Sequence, residues 1–226
     1  LVVEDDKDLN KTVCSFLNHS GYEDIPILFM TAKDDKPSKS ELVKVATTGT
    51  INGHAWVDLG LSVKWATMNV GASSPGDYGD YFAWGEVHPK SKYTSETSLT
   101  LDKSIGDIIG NSAYDAARYH WGSSWRLPSQ KELEELGEKC RWTWTRQDGL
   151  AGYKVTGPNG NSIFLPAAGF RLGASTGNVG TNGYYWSGSP YGSNTQNAYD
   201  LYFYDALRYV SWDYRHYGQS VRPVSD

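Results

Sequence analysis

A chain of 226 residues, 39% hydrophobic and 14% aromatic, has room for one full domain and a smaller piece. A formal net charge of −5, with no basic run, excludes the electrostatic footprint of a nucleic-acid binder. No stretch approaches the ~18 apolar residues of a membrane-spanning helix, and 24 glycines predict a turn-rich fold.

Leu1-Val2-Val3 reads as a buried strand ending in the carboxylates Glu4, Asp5 and Asp6. Leu9, Val13, Phe16 and Leu17 follow at helical spacing, and Gly21 is a plausible stop. Ile25 to Met30 reads as a second buried strand. LVVEDD with its helix, and PILFMTA, resemble the receiver domain of response regulators. The resemblance implies that Asp5 and Asp6 are the magnesium-holding acidic pair and Thr31 the switch hydroxyl. Only Tyr22, Glu23 and Asp24 stand where a receiver has two strands, two helices and its phosphoacceptor. Residues 1–45 are therefore expected to be a truncated remnant that cannot accept phosphate. The chain opens on Leu1 rather than Met, as expected of a trimmed or fragmentary chain, and no signal peptide is visible. Residues 46–51 are expected to be linker.

Val57, Leu59, Leu61, Val63 and Trp65 alternate with polar residues and Gly60, which predicts an extended hairpin bending at Gly60. Residues 69–79 read as a loop, Tyr81 to Glu86 as a short aromatic strand or loop, and His88 to Ser104 as surface loop. Asp115 to His120 predicts a short helix. Ser129-Gln130-Lys131-Glu132 matches a capping box, and Leu133, Leu136 and Cys140 share one face of the helix that it opens. Trp142 and Trp144 alternate. Residues 153–156 and 162–166 flank a Gly-Pro-Asn-Gly-Asn turn, and 169–183 reads as a glycine-rich loop.

Three blocks, HAWVDLGLSVKWATMNVGA with YFAWGE, YDAARYHWGSSWRLPSQKELEEL, and GYYWSGSP with GQSVRPV, carry a second resemblance. They are similar to the bacterial paralogous-domain family with a C-type-lectin-like fold. That fold is shared with formylglycine-generating enzymes and with the variable proteins of diversity-generating retroelements. It implies an α+β domain over residues 52–226, with short antiparallel strands, one or two helices and long Gly-rich loops.

Residues 184–226 hold nine of the sixteen tyrosines, with Trp186 and Trp212. Tyrosine, serine, glycine and asparagine with scattered arginine and tryptophan make the composition of an antibody-like contact surface; a tyrosine-rich sheet covering a core is the plainer reading. By the resemblance, Leu201, Phe203, Val210, Arg215, Gly218, Ser220, Val221, Arg222, Pro223 and Val224 form a frame. The positions between them are the expected diversified, ligand-binding ones: Tyr191, Asn194, Asp200, Tyr202, Tyr204, Asp205, Arg208, Tyr209, Trp212, Asp213, Tyr214, His216 and Gln219.

The function expected is non-enzymatic recognition of a protein or glycan on a target surface. The alternatives are a calcium-independent carbohydrate-binding module and a signalling protein derived from a response regulator. Formylglycine-type oxidation needs a reactive cysteine pair, and this domain has only Cys140. The calcium-binding tripeptides of true C-type lectins do not occur. Cys14 and Cys140 fall in separate segments, and His54, His88, His120 and His216 are scattered, so no disulfide, metal or cofactor is expected. Location stays open between cytoplasm, by the receiver-like start, and a cell or phage surface, by the lectin-like domain.

Overall fold

Asn52-Gly53 and Asp148-Gly149 each place two successive residues at positive φ (50° and 81°, then 52° and 82°). That is the geometry of a two-residue hairpin turn whose twist matches its strands. The first turn joins β1 (Thr48–Ile51) to β2 (His54–Asp58), and the second joins β4 (Arg141–Gln147) to β5 (Leu150–Thr156). Residues 48–51 are thus strand where linker is expected. The structure, a computed structural model, describes residues 46–226. The receiver-like reading of residues 1–45, with Asp5, Asp6 and Thr31, lies outside the described residues.

β2 turns through residues 59–63 into β3 (Lys64–Ala66), and Asp58 pairs with Lys64. The Gly60 amide donates to the Asp58 carboxylate at 2.6 Å, which tightens the expected bend. α1 (Ala116–Trp121) is capped by Asp115, whose carboxylate accepts from the Arg118 amide. α2 (Gln130–Lys139) opens on the expected capping box: Ser129 Oγ accepts from the Glu132 amide at 3.2 Å, and the Ser129 amide donates to Glu132 Oε2 at 2.7 Å. Its inner face, Leu133, Leu136 and Cys140, is buried.

β6 (Ser162–Pro166) completes a three-stranded sheet in the order β4-β5-β6. Residues 169–183, expected as loop, contain a small hairpin, β7 (Phe170–Leu172) with β8 (Ser175–Gly177). β9 (Asn182–Pro190), β10 (Asn197–Tyr204) and β11 (Leu207–Tyr214) form a third sheet, ordered β11-β10-β9. β12 (Val224–Ser225) returns to pair with β3, giving the order β1-β2-β3-β12. The expected surface loop 88–104 is also tied inward, since Tyr93 and Thr100 are fully buried.

These observations overturn the α+β, C-type-lectin-like expectation. Among the described residues, twelve strands form four small sheets with every strand pair antiparallel, and the two α-helices are only six and ten residues long. The architecture is mostly antiparallel β. Aromatic and β-branched residues at alternating positions favour strands, and Gly122, at a φ of 90°, ends α1 after less than two turns.

Two hydrophobic clusters fill the interior. One gathers Leu59, Trp65, Leu133, Leu136, Val155, Leu165, Tyr185, Leu201 and Phe203. The other gathers Phe82, Trp84, Trp121, Trp125, Trp186 and Val221. β9–β11 presents Tyr185, Leu201 and Phe203 to the first cluster, over α2. Gly183 sits against the Phe203 ring, where a Cβ would collide with it.

Candidate aromatic recognition face

β10 and β11 pair residue for residue from Asn197↔Tyr214 to Tyr204↔Leu207. Side chains alternate between the faces of a sheet, so Leu201 and Phe203 facing the core put Tyr202 and Tyr204 on the opposite face. Tyr184 of β9 and Tyr209 of β11 lie directly across from Tyr202 on its two sides. Ring centroids are 5.0 Å apart for Tyr184–Tyr202, 5.4 Å for Tyr202–Tyr209 and 6.0 Å for Tyr202–Tyr204. The belt continues from Tyr184 to Phe170 at 5.1 Å, to Tyr217 at 5.6 Å, then to Tyr214 and His216. Such edge and offset contacts lock large rings at small entropic cost. Two hydroxyls are fixed as well: Asn182 Nδ2 donates to Tyr202 Oη at 2.8 Å, and Asn178 Nδ2 to Tyr184 Oη at 3.0 Å.

The belt has concave ground on two sides. A cavity of about 410 Å³ lies at its Tyr204 end, lined by Trp144, Asn182, Tyr202, Tyr204 and Asp205. A groove of about 470 Å³ runs between α2 and β11, lined by Leu133, Gly137, Leu201, Leu207 and Tyr209 among others.

Asp200, Asp213 and Gln219 form a polar floor behind the rings. Gln219 Nε2 donates to Asp213 Oδ2 at 3.1 Å, and the Tyr214 amide donates to Asp213 Oδ1 at 2.8 Å. Burial raises both carboxyls: Asp213 is pushed up to about 6, and Asp200 lies well above the usual carboxylate range, with the Asp213 charge adding to its shift. With its carboxyl at about 6, Asp213 is largely ionised at neutral pH. Although such a pair has the unequal proton affinities of an acid–base couple, Asp200 is 1% exposed and out of reach of a substrate.

The expected site residues divide into distinct groups. Tyr202, Tyr204, Tyr209, Tyr214 and His216 belong to the belt, and Asp213 lies half-buried behind it. Asp200 and Gln219 are corrections: both are buried, so neither is an outward contact residue. Trp212 points to the other face of β11, where it meets Tyr191 at 5.2 Å, and Tyr191 in turn meets Tyr199 at 5.1 Å. Arg208 is exposed but lies over the Trp142 ring and donates to the Gly137 carbonyl. Asn194 and Asp205 occupy the exposed turns before and after β10. The expected single surface is therefore split: Tyr202, Tyr204 and Tyr209 lie on one face of the sheet, Trp212 with Tyr191 lies on the other, and Tyr214, at the end of β11, reaches the belt through Tyr217.

Tyr184, Phe170 and Tyr217 were missed as belt members. Tyr184 stands in the right stretch, but only cross-strand register shows that it abuts Tyr202. Phe170 and Tyr217 join through the β7 segment, whose Arg171 exchanges backbone hydrogen bonds with Gly218.

Frame residues hold the face in place. Arg222 is buried and donates to Asn69 Oδ1 at 2.8 Å, to the Ala66 carbonyl at 3.0 Å and to the Phe164 carbonyl at 2.9 Å. Burial lowers its pKa to about 10, which still leaves it charged at neutral pH. Arg215 lies over Trp84 at 4.3 Å and donates to the carbonyls of Asn197 and Lys103. Cys140 is buried and its thiol is pushed up to about 11, so it carries no appreciable thiolate at neutral pH. Among the described residues, no group of three His, Cys, Asp or Glu is placed to hold a metal ion, and no helix is long and apolar enough to cross a membrane.

A sequence family described as a domain of unknown function, DUF8237, matches residues 151–224, a span that includes all of β9–β11. No curated protein and no solved structure matches the chain.

Proposed function

We propose that this chain is a non-enzymatic recognition protein that contacts a protein or glycan on a target surface through the aromatic face of β9–β11. One observation carries the reading: Tyr209, Trp212 and Tyr214 of the edge strand β11 are 47%, 47% and 42% exposed, while the adjoining β10 is anchored in the core by Leu201 and Phe203. Exposed rings of this size, held on a rigid sheet, are the anchors from which binding surfaces draw most of their energy.

The exposed positions also lie outside the core. Asp205, Tyr209, Trp212 and Tyr214 are exposed, while Leu201, Phe203, Arg215, Val221 and Arg222 are buried. Substitution at the first set is expected to spare the core, which is what a diversified surface of the retroelement variable-protein type requires.

A glycan array read with and without chelator, together with binding to intact cells, tests the recognition role. The Tyr204→Ser, Tyr209→Ser, Trp212→Ser triple variant should lose binding and keep a cooperative melt. Loss of the melt would show that the rings serve the core and would overturn the reading. Sequencing the gene across related isolates tests diversification; uniform residues at positions 204, 205, 209, 212 and 214 would count against it.

A further inference from the structure

Where β4 meets the end of β10, the cavity of about 410 Å³ is walled by the rings of Trp144, Tyr202 and Tyr204 and by the polar residues Thr181, Asn182 and Asp205. That volume falls within the roughly 300–1,000 Å³ of small-ligand pockets. Two sheets supply the rings and are braced together. Trp144 packs edge-on against Tyr153 at 5.0 Å and Phe203 at 6.5 Å, and Tyr153 Oη donates to the Tyr204 carbonyl at 3.0 Å. The remaining wall is the turn that enters β9. There Thr181 Oγ1 donates to Asn182 Oδ1 at 2.7 Å, and Asn182 Nδ2 donates to Tyr202 Oη at 2.8 Å. The Tyr202 and Tyr204 rings are inclined at 53°, so they make two walls and not one flat stack.

The polar groups of this lining have hydrogen-bonding capacity to spare. The Trp144 indole N–H, the Tyr204 hydroxyl and the Asp205 carboxylate make no hydrogen bond among the described residues. Tyr202 Oη accepts from Asn182, which leaves its own hydrogen to donate. Donors and an acceptor thus share one cavity, a pattern that suits a hydroxyl, which both gives and takes a hydrogen bond. The lining holds no lysine, arginine or histidine, so nothing in it offsets an anion. Asp205 is exposed, and a carboxylate in water offers a cation little. The C–H face of a sugar ring is weakly positive and lies well on the negative face of an aromatic ring.

We infer that the Trp144–Tyr202–Tyr204 cavity binds one neutral sugar ring, a pyranose, either free or at the end of a glycan. The inference rests on the recognition reading and names the chemistry of its ligand. The C–H face of the pyranose lies on an aromatic wall, and its hydroxyls meet Trp144, Tyr204 and Asp205.

The test is an NMR titration of the whole chain with isotope-labelled tryptophan indoles, the Trp144 signal being assigned by its loss in Trp144→Phe. The probes are the methyl pyranosides of glucose, galactose, mannose, fucose and N-acetylglucosamine, with cyclohexylmethanol as the apolar control and n-butylammonium as the cationic one. In titrations to about 50 mM, a saturable shift of the Trp144 signal is expected with at least one pyranoside, at a dissociation constant on the order of 1 mM, and with neither control. Asp205→Ala should keep a cooperative melt and weaken that sugar about tenfold, the loss of one hydrogen bond to a charged group. An oligosaccharide ending in the same ring that binds more tightly than the methyl pyranoside identifies a glycan as the source; equal or weaker binding identifies a free sugar. Absence of saturation with every pyranoside would overturn the inference. So would an equal response to either control, or unchanged sugar affinity in Asp205→Ala. Each of these leaves the recognition face standing, which falls only if the triple-serine variant fails to melt cooperatively.

Discussion

Tyr202 of β10 stands directly opposite Tyr209 of β11, with ring centroids 5.4 Å apart, yet the two differ in what supports them. Tyr202 is half-buried between Tyr184 and Tyr209 and accepts from Asn182; Tyr209 is the outermost ring of the row. Removing Tyr209 should therefore barely touch the fold. Tyr209→Ser is expected to change unfolding free energy by no more than ~1 kcal/mol in urea titration. Phe203→Ala, one position along β10 on the core side, should cost ~3–5 kcal/mol.

Asp213→Asn is expected to stabilise the protein at neutral pH. Burial moves the carboxyl from 3.8 to about 6, so the folded chain keeps the Asp213 proton to higher pH than the unfolded chain does. Stability therefore falls as pH rises from about 4 to about 6, and the loss, at most ~3 kcal/mol, persists above that window. Urea titrations at pH 4 and pH 7.5 check the sign. The variant should gain stability at pH 7.5 and approach wild type at pH 4. An equal gain at both would show that charge burial is not its cause.

Arg222 ties its own segment to residues 66–69 and to β6 by its hydrogen bonds to Asn69, Ala66 and Phe164. Arg222→Leu leaves three buried acceptors without a donor, and a loss of at least ~3 kcal/mol is expected. Arg222→Lys should recover little, because an ammonium cannot reproduce the planar fork of donors. Thermal melts of the two variants read this directly.

Gly183→Ala is expected to cost ~1–3 kcal/mol, since the new methyl would meet the Phe203 ring. Its φ is not in the left-handed region, so the cost comes from packing and not from backbone strain. A double-mutant cycle with Phe203→Leu should recover part of it, which a backbone origin would not allow.

Some of the architecture was legible before any coordinates. The Ser129–Glu132 capping box, the inward run Leu133, Leu136 and Cys140, and the alternation from Val57 to Trp65 all describe local periods or local hydrogen bonds, and the structure carries each of them. The hairpin turn at Asn52-Gly53 was equally local in origin, but its small, polar neighbours made β1 read as linker. The Phe170–Gly177 hairpin was hidden for a similar reason, with short strands among glycines.

The site was less legible, because its membership depends on cross-strand neighbours. Asp200 alternates with Tyr202 and Tyr204 and so shares their face, yet it is buried beside Gln219. Trp212 reads as one more ring beside Tyr209, but the two lie three positions apart on a strand, an odd spacing that sends them to opposite faces.

From the amino-acid order alone came what depends on near neighbours: the helix start at Ser129, the inward set at Leu201 and Phe203, and the concentration of tyrosine after residue 184. Tertiary structure alone decided what depends on distant ones: that the sheets are antiparallel and the helices minor, that the rings of Phe170, Tyr184, Tyr202 and Tyr217 form one belt, and that two acids lie beneath it. The physical reason is that a period acts over a few residues of chain, whereas burial and charge pairing are set by whichever strand folds back alongside.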